Sequence, residues 1–289
     1  QAEDGIRDSS TSRGLGDVYK RQVIGSGIMG SRIACYLSDV GLSVSLFDIP
    51  GNKKDRNEIV TQNLNKTIKS RPEPLLDINQ DHNINLGNIE DHTNKIKESD
   101  WIIEVVIEKL EIKHQVFDLI EKYRSKGTIV TSNTSGIPIK LMSNGRSDDF
   151  NKNFAITHFF NPPRYLNLFE VIPSPSCDED LLNFLLNYGE KFLGKTSILA
   201  KDTPAFIGNR IGTFGIQSLF HQVKDGNYTI EEIDKLTGSV IGRPKSATFR
   251  TADVVGLDTL ISVSRGCLLY TSDAADDSLR VDLGGRRII

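Results

Sequence analysis

The chain has 289 residues, with 35 Lys and Arg against 38 Asp and Glu and a formal net charge of −3, so no basic footprint argues for nucleic acid. No apolar run approaches the roughly 18 residues of a membrane-spanning helix, and a chain of this length can bury a real core. The three cysteines lack CxxC spacing, which argues against a disulfide framework or zinc site and fits a reducing, cytoplasmic setting.

The two ends are related to each other through base pairing. Asp17-Val18-Tyr19-Lys20-Arg21-Gln22 can be encoded GAT GTG TAT AAG AGA CAG. The reverse complement, read one base in and completed by one T, encodes Cys-Leu-Leu-Tyr-Thr-Ser, the string that stands at Cys267 to Ser272. Both ends are therefore expected to be translated from the inverted transposon end used in sequencing libraries. Gln1 to Asp8 and Val281 to Ile289 resemble translations of the outer adapters. On this reading residues 1–22 and 267–289 are adapter-derived and excluded from fold reasoning. The native segment then runs over 23–266, its own start and stop missing, and Cys267 needs no functional reading.

Val23-Ile24 reads as the end of a buried strand. Ile28 to Val40 has helical spacing, with Ile28, Ile33, Leu37 and Val40 on or near one face, and Gly41 closes it. Ser43 to Phe47 is strand-like, Asp55 to Ser70 helical, and Arg71 to Pro74 a break. Trp101 to Ile107 is a short apolar run, followed by an amphipathic helix over Glu108 to Tyr123. Gly127 to Thr131, Phe154 to Phe159 and Leu168 to Ile172 read as strands, Asp178 to Phe192 as a helix, and Thr196 to Ala200 as a last strand. This alternation implies a parallel sheet built from βαβ units. After Lys201 the pattern changes to helices, Phe206 to Lys224 and Thr229 to Leu236. The expected organisation is an α/β domain over 23–200 and a helical domain over 201–266.

Gly25-Ser26-Gly27-Ile28-Met29-Gly30 fits G-x-G-x-x-G. Gly25 permits a tight turn, Gly27 lets backbone amides approach a pyrophosphate, and Gly30 lets the helix pack on the strand. The helix N-terminus adds partial positive charge. A second strand ends at Asp48, 18 residues past Gly30, near the roughly 20 expected for the acid that binds the ribose hydroxyls. The fold is therefore expected to be a Rossmann-type, doubly wound, mainly parallel sheet. Asp48 favours NAD over NADP, although Lys53 and Lys54 lie close by and would favour a 2′-phosphate.

Downstream stand Ser132-Asn133-Thr134-Ser135 after a strand, Thr157-His158-Phe159-Phe160-Asn161-Pro162-Pro163, and Leu168-Phe169-Glu170-Val171-Ile172. Hydride transfer from an alcohol needs a base, and His serves because it titrates near neutrality. A carboxylate beside it would fix its tautomer. Taken alone, a His between apolar residues such as His158 is more often a satisfied core residue, while Glu170 also fits a solvent-facing strand position, Ser135 a turn cap, and Asn209 a helix-to-helix hydrogen bond. Glu108 and Lys113 fit an exposed helix face. His82, His92, His114 and His221 share no spacing and read as surface residues, and Cys35 as helix packing. No metal site is expected.

These motifs, in this order and together with Lys201-Asp202-Thr203-Pro204-x-Phe206-x-x-Asn209-Arg210, resemble the 3-hydroxyacyl-CoA dehydrogenase family over essentially all of Val23 to Ser264. Thr134 to Pro138, Pro162 to Tyr165 and Gly242 to Thr251 look like a branch in which an enoyl-CoA hydratase-like region follows in the same chain. The resemblance implies NAD-dependent oxidation of an acyl-CoA 3-hydroxyl in fatty-acid β-oxidation. It implies His158 as general base, Glu170 as its partner, and Ser135 and Asn209 as hydrogen-bond donors to substrate oxygens. Glu108 and Lys113, in Glu104-x-x-x-Glu108-x-x-x-x-Lys113, would lie near the nicotinamide side of the cofactor, and Asn161 would support the His158 loop. It also implies a homodimer through the helical domain, which on this reading is truncated. Two other readings stand beside it. One is a small β-hydroxyacid dehydrogenase, a class that uses a lysine in its helical region instead of a His–Glu pair. The other is a non-catalytic binding or structural protein derived from the same fold, or a folding-incompetent fragment of such an enzyme. Lys20, Arg21 and Gln22 are expected to be poor occupants of a buried central strand.

Overall fold

A computed structural model describes residues 20–77 and 83–270. The chain divides between Asp202 and Thr203 into two compact units. The first begins with β1 (Lys20–Ile24), α1 (Ile28–Asp39), β2 (Ser43–Asp48), α2 (Glu58–Ile68), β3 (Ile84–Asn88) and α3 (Thr93–Glu98). It continues with β4 (Trp101–Glu104), α4 (Leu110–Tyr123), β5 (Ile129–Ser132), α5 (Ile139–Ser143) and α6 (Asp148–Lys152). It ends with β6 (Phe154–Phe159), β7 (Leu168–Pro173), α7 (Glu179–Lys191) and β8 (Thr196–Leu199).

The strands form one eight-stranded sheet in the order β3-β2-β1-β4-β5-β6-β7-β8. Every pairing is parallel except β6 with β7. The first six strands follow the 3-2-1-4-5-6 order of dinucleotide-binding sheets, whose ligand crevice opens where the order reverses, here between β1 and β4. Strands β4, β5 and β6 are buried along their whole length, as expected of parallel strands covered on both faces.

β3 and α3 are not apparent from periodicity. The β3 sequence Ile-Asn-Leu-Gly-Asn is half polar, and β3 lies at the sheet edge, where burial asks less of the side chains. On α1 the apolar stripe is narrower than its spacing predicts. Ile33 and Leu37 are buried, whereas Ile28 is 69% exposed in the first turn and Val40 lies past the helix end. Gly41 ends α1 with φ +84°, a conformation that favours glycine.

Lys20, Arg21 and Gln22 open the central strand, in register with Ser43 to Ser45 of β2. Arg21 escapes an apolar slot by reaching α7, where its guanidinium donates to the Tyr188 hydroxyl and lies 5.6 Å from the ring centroid. Gln22 is 0% exposed. Its Oε1 accepts from Ser99 Oγ at 3.1 Å, but its buried Nε2 has no hydrogen-bond partner.

The second unit contains α8 (Gly208–Lys224), α9 (Ile230–Thr237), α10 (Phe249–Val255) and α11 (Leu257–Tyr270). A capping box opens α9, in which Thr229 and Glu232 satisfy each other's backbone N–H groups. Asp234 of α9 accepts backbone N–H groups of Thr248, Phe249 and Arg250 and so fixes the start of α10. Helices α10 and α11 extend the helical pattern beyond the two helices read from periodicity. None of the described helices is long and apolar enough to cross a membrane.

Candidate active site

The glycine loop sits at the reversal point of the sheet. Gly25 has φ +103°, and a Cβ there would meet the Val105 carbonyl oxygen at 2.5 Å, so a side chain is excluded twice over. A Cβ on Gly30 would fall 1.8 Å from the Gly25 oxygen, which is the close helix-to-strand approach that the third glycine of the fingerprint allows. Around Gly27, by contrast, an added Cβ meets nothing within 4 Å. That open space, at the N-terminus of α1, fits a pyrophosphate held by backbone N–H groups. Ile28 stands exposed at its mouth, while Met29 packs against the core.

Asp48 ends β2 beside the loop. Its Oδ2 accepts the Ser26 backbone N–H at 2.6 Å and the Ser26 hydroxyl. Its Oδ1 accepts the Ile49 N–H at 2.8 Å. Lys53 and Lys54 are exposed on the following loop.

A charged cluster lies at the C-terminal end of β4. Lys113, buried on α4, donates to both oxygens of the fully buried Glu104, at 2.8 and 3.1 Å. Its ammonium also stands 3.3 Å from Glu108 Oε2. Glu104 further accepts the Val106 N–H at 2.7 Å and the Ser132 hydroxyl. Glu108 Oε1 accepts the Thr134 hydroxyl and the backbone N–H groups of Ser135 and Gly136, at 3.0 and 3.2 Å. Glu108 and Lys113 are thus brought together with the Ser135 loop. Glu104, which sequence reasoning noted only as part of the spacing, is the group on which the cluster is built. Its signal was a carboxylate ending the apolar run Trp101-Ile102-Ile103.

His158 and Glu170 face each other on the one antiparallel ladder of the sheet. Cross-strand neighbours put side chains on the same face, and His158 Nδ1 lies 2.7 Å from Glu170 Oε2. Both residues are buried. A carboxylate accepts, so Nδ1 carries the proton and Nε2 is the basic nitrogen. The His158 ring rests against Phe160 at 4.4 Å between centroids.

Asn161, expected to support this loop, is exposed at the start of it, at the cis Asn161–Pro162 bond. Asn133 braces the strand that leads into the loop, its Oδ1 accepting the Phe159 N–H at 2.8 Å. Asn133 follows β5 directly, so its side chain reaches β6 next door. Lys195 holds the rest of the loop by donating to the carbonyls of Pro163 and Leu166. Burial lowers this lysine's pKa to about 8.

Asn209 lies in the first turn of α8, in the second unit. Among the described residues, His92, His114 and His221 are half-buried instead of lying fully on the surface. His92 Nδ1 accepts the Asn88 N–H at 3.1 Å, and its ring packs on Phe47. His114 stands 3.0 Å from Arg146, and His221 is half-buried in the last turn of α8. His82 lies outside the described residues. Cys35 is buried in α1, and burial pushes its thiol up to about 12, as helix packing implies. No metal-binding cluster occurs among the described residues.

Comparison with known proteins supplies the deciding observation. The family model described as 3-hydroxyacyl-CoA dehydrogenase, NAD binding domain, matches residues 20–203, and the one described as 3-hydroxyacyl-CoA dehydrogenase, C-terminal domain, matches 206–281. The chain belongs to the 3-hydroxyacyl-CoA dehydrogenase family. Its first unit is therefore an NAD-binding domain, and the open cradle at Gly27 and the acid at Asp48 fit that cofactor.

Among relatives of this family, a probable 3-hydroxyacyl-CoA dehydrogenase of Bacillus subtilis is 48% identical over 86% of this chain. A putative fatty acid oxidation complex trifunctional enzyme of Rickettsia prowazekii is 35% identical over 92% of it. The chain spans only 33% and 37% of those two proteins. The solved (S)-3-hydroxybutyryl-CoA dehydrogenase of Ralstonia eutropha is 25% identical with a TM-score of 0.71, covering 89% of each chain. Both family matches extend past the expected native segment of 23–266, to Lys20 at one end and Val281 at the other.

Proposed function

We propose that this chain carries the catalytic site for NAD-dependent oxidation of an (S)-3-hydroxyacyl-CoA to the 3-ketoacyl-CoA, a step of fatty-acid β-oxidation. The observation that carries this is the buried His158–Glu170 pair, 2.7 Å apart on an antiparallel ladder. His158 Nε2 takes the proton of the substrate 3-hydroxyl. Glu170 holds the ring in that tautomer and stabilises the imidazolium that forms. Held by the glycine loop and Asp48, NAD would supply the hydride acceptor for the carbon bearing that hydroxyl, so that the substrate would lose two electrons and two hydrogens. Ser135 and Asn209 donate hydrogen bonds to substrate oxygens. Lys113 and Glu108 border the nicotinamide side, and Gly25 to Gly30 with Asp48 hold the dinucleotide.

Replacing His158 with Gln keeps a polar side chain and removes the base. A general base contributes about 10²–10⁴-fold. His158→Gln is therefore expected to lower kcat by that factor on acetoacetyl-CoA reduction or hydroxyacyl-CoA oxidation, with the dissociation constant for NAD unchanged. An equal loss of NAD binding would remove His158 from the proposed role.

The His–Glu pair disfavours a small β-hydroxyacid dehydrogenase that works through a lysine. Activity on free hydroxyacids but not on acetoacetyl-CoA would reverse that order. We further propose that residues 1–22 and 267–289 are adapter-derived, that 23–200 and 201–266 are the native parts of the two domains, and that a hydratase-like region follows in the whole protein. The base-pairing relation of the two ends supports the first point. The name of the Rickettsia relative, a trifunctional enzyme of a fatty acid oxidation complex, supports a further activity in the whole protein. The whole enzyme is proposed to be cytoplasmic and to pair through its helical domain. The reading of an inert fragment is favoured by the orphaned amide of Gln22 in the central strand, and it is tested by cofactor binding.

A further inference from the structure

Neither the glycine fingerprint nor the His–Glu chemistry requires a hydroxyl at Ser26 or an amide at Asn63. Both are nevertheless tied to the acid that meets the ribose. Asn63, on α2, donates Nδ2–H to Ser26 Oγ at 2.9 Å. Ser26 is fully buried. A serine hydroxyl has a single proton. With Asn63 supplying a hydrogen to its oxygen, Ser26 directs its own proton to Asp48 Oδ2, the atom that also takes the Ser26 backbone N–H at 2.6 Å. The Ile49 N–H holds the other carboxylate oxygen at 2.8 Å. The Asp48 carboxylate is thus gripped from the glycine loop, from the end of β2 and, through Ser26, from α2.

The grip bears on which dinucleotide the site accepts. A carboxylate free to rotate can swing away from a ribose 2′-phosphate, and the exposed ammonium groups of Lys53 and Lys54 on the next loop would then attract that phosphate. A pinned carboxylate keeps its charge facing the 2′ position. There it accepts from a hydroxyl and repels a phosphate.

We infer that Ser26 and Asn63 are specificity-determining residues: the Asn63–Ser26–Asp48 chain locks the acid in place and sets the preference for a dinucleotide with a free 2′-hydroxyl over one with a 2′-phosphate. The inference rests on the NAD-binding assignment of the first unit and not on the dehydrogenase reaction.

The test measures dissociation constants of the full chain for NADH and NADPH by isothermal titration calorimetry, in the wild type and in Ser26→Ala and Asn63→Ala. A hydrogen bond to a charged group is worth about 1.5 kcal/mol at the low end, or roughly tenfold. Ser26→Ala is expected to shrink the NADPH-to-NADH ratio of dissociation constants by about that factor, and Asn63→Ala, one bond further away, by about threefold. Asn63 is half-buried on a helix surface, so its truncation keeps the question answerable if Ser26→Ala does not fold.

Adding Ser26→Ala to Asp48→Asn is expected to leave the ratio where Asp48→Asn alone puts it, since the lock then has no charge to hold. Equal weakening of both dinucleotides, with the ratio unchanged, would overturn the inference and leave the two residues as scaffolding. A further shift of the ratio in the Asp48→Asn background would overturn it as well. Wild-type chain that binds neither dinucleotide would overturn the cofactor assignment itself, a result distinct from either of these.

Discussion

Gln22 occupies the strand that a dinucleotide-binding sheet protects best, and its amide is only half satisfied. Leaving a buried polar group without a partner costs about 1–3 kcal/mol, whereas replacing it by an apolar group of the same shape recovers that cost. Methionine matches glutamine in length, is apolar, and lacks the forked amide end. The one group that would lose an acceptor, the Ser99 hydroxyl, also reaches the Lys95 carbonyl at 2.7 Å. Gln22→Met is therefore expected to stabilise the chain by about 1 kcal/mol or more, read as a higher urea midpoint at unchanged m. A lower midpoint would mean that the Ser99–Gln22 bond outweighs the orphaned nitrogen. The poor fit of this residue was legible in the sequence, because a polar triplet Lys20-Arg21-Gln22 precedes the apolar Val23-Ile24. The escape of Arg21 to Tyr188 was not, since the two stand 167 positions apart and no local pattern joins them.

At the scale of elements, β4 and α4 are joined by the Glu104–Lys113 pair instead of by apolar contacts alone. Removing one partner of a buried ion pair strands the other charge and costs about 3–5 kcal/mol, while replacing both with well-packed apolar groups is often neutral. Glu104→Leu and Lys113→Met are each expected to destabilise the chain in that range. The double variant should be more stable than the two losses summed, giving a coupling energy of about 1–3 kcal/mol in a cycle of chemical denaturation. Strict additivity would show that Lys113 relies on Glu108 and not on Glu104. The spacing of Glu104, Glu108 and Lys113 was visible beforehand. Their convergence needed β4 to end at Glu104 and α4 to start only at Leu110, and element boundaries are what periodicity fixes least well. The His158–Glu170 pair shows the same limit. Both residues stood out in the sequence, but their contact depends on β7 running against β6, and nothing in either strand's pattern of apolar residues reports direction. The edge strand β3 and the helices α3, α10 and α11 escaped notice because short or half-exposed elements carry weak periodicity.

At the scale of the whole molecule, alternation of strands and helices followed by helices alone made the two-part fold legible, while the sheet order was fixed only by pairings distant in sequence. What this architecture must do first, before any chemistry, is bind a dinucleotide, and Gly27 isolates that property. Its backbone, at φ −56°, is one any residue adopts, and an added Cβ meets no protein atom within 4 Å. The space it would fill is the room left beside the helix N-terminus for a pyrophosphate. Gly27→Val is therefore expected to unfold close to the wild-type temperature, because exchanging glycine at a helix cap for a non-capping residue costs at most about 1 kcal/mol. NAD at about one hundred times its dissociation constant stabilises the binding-competent state by about 2.7 kcal/mol. At roughly 2–4 °C per kcal/mol for a unit of this size, the wild-type transition should rise by about 5–10 °C, and the Gly27→Val transition should not move. A wild-type chain that shows no rise, although its first unit unfolds cooperatively, would mean that the central strand with Arg21 and Gln22 does not hold the cradle in its binding shape, which is the inert-fragment reading. A rise shared by Gly27→Val would place the dinucleotide away from the glycine loop.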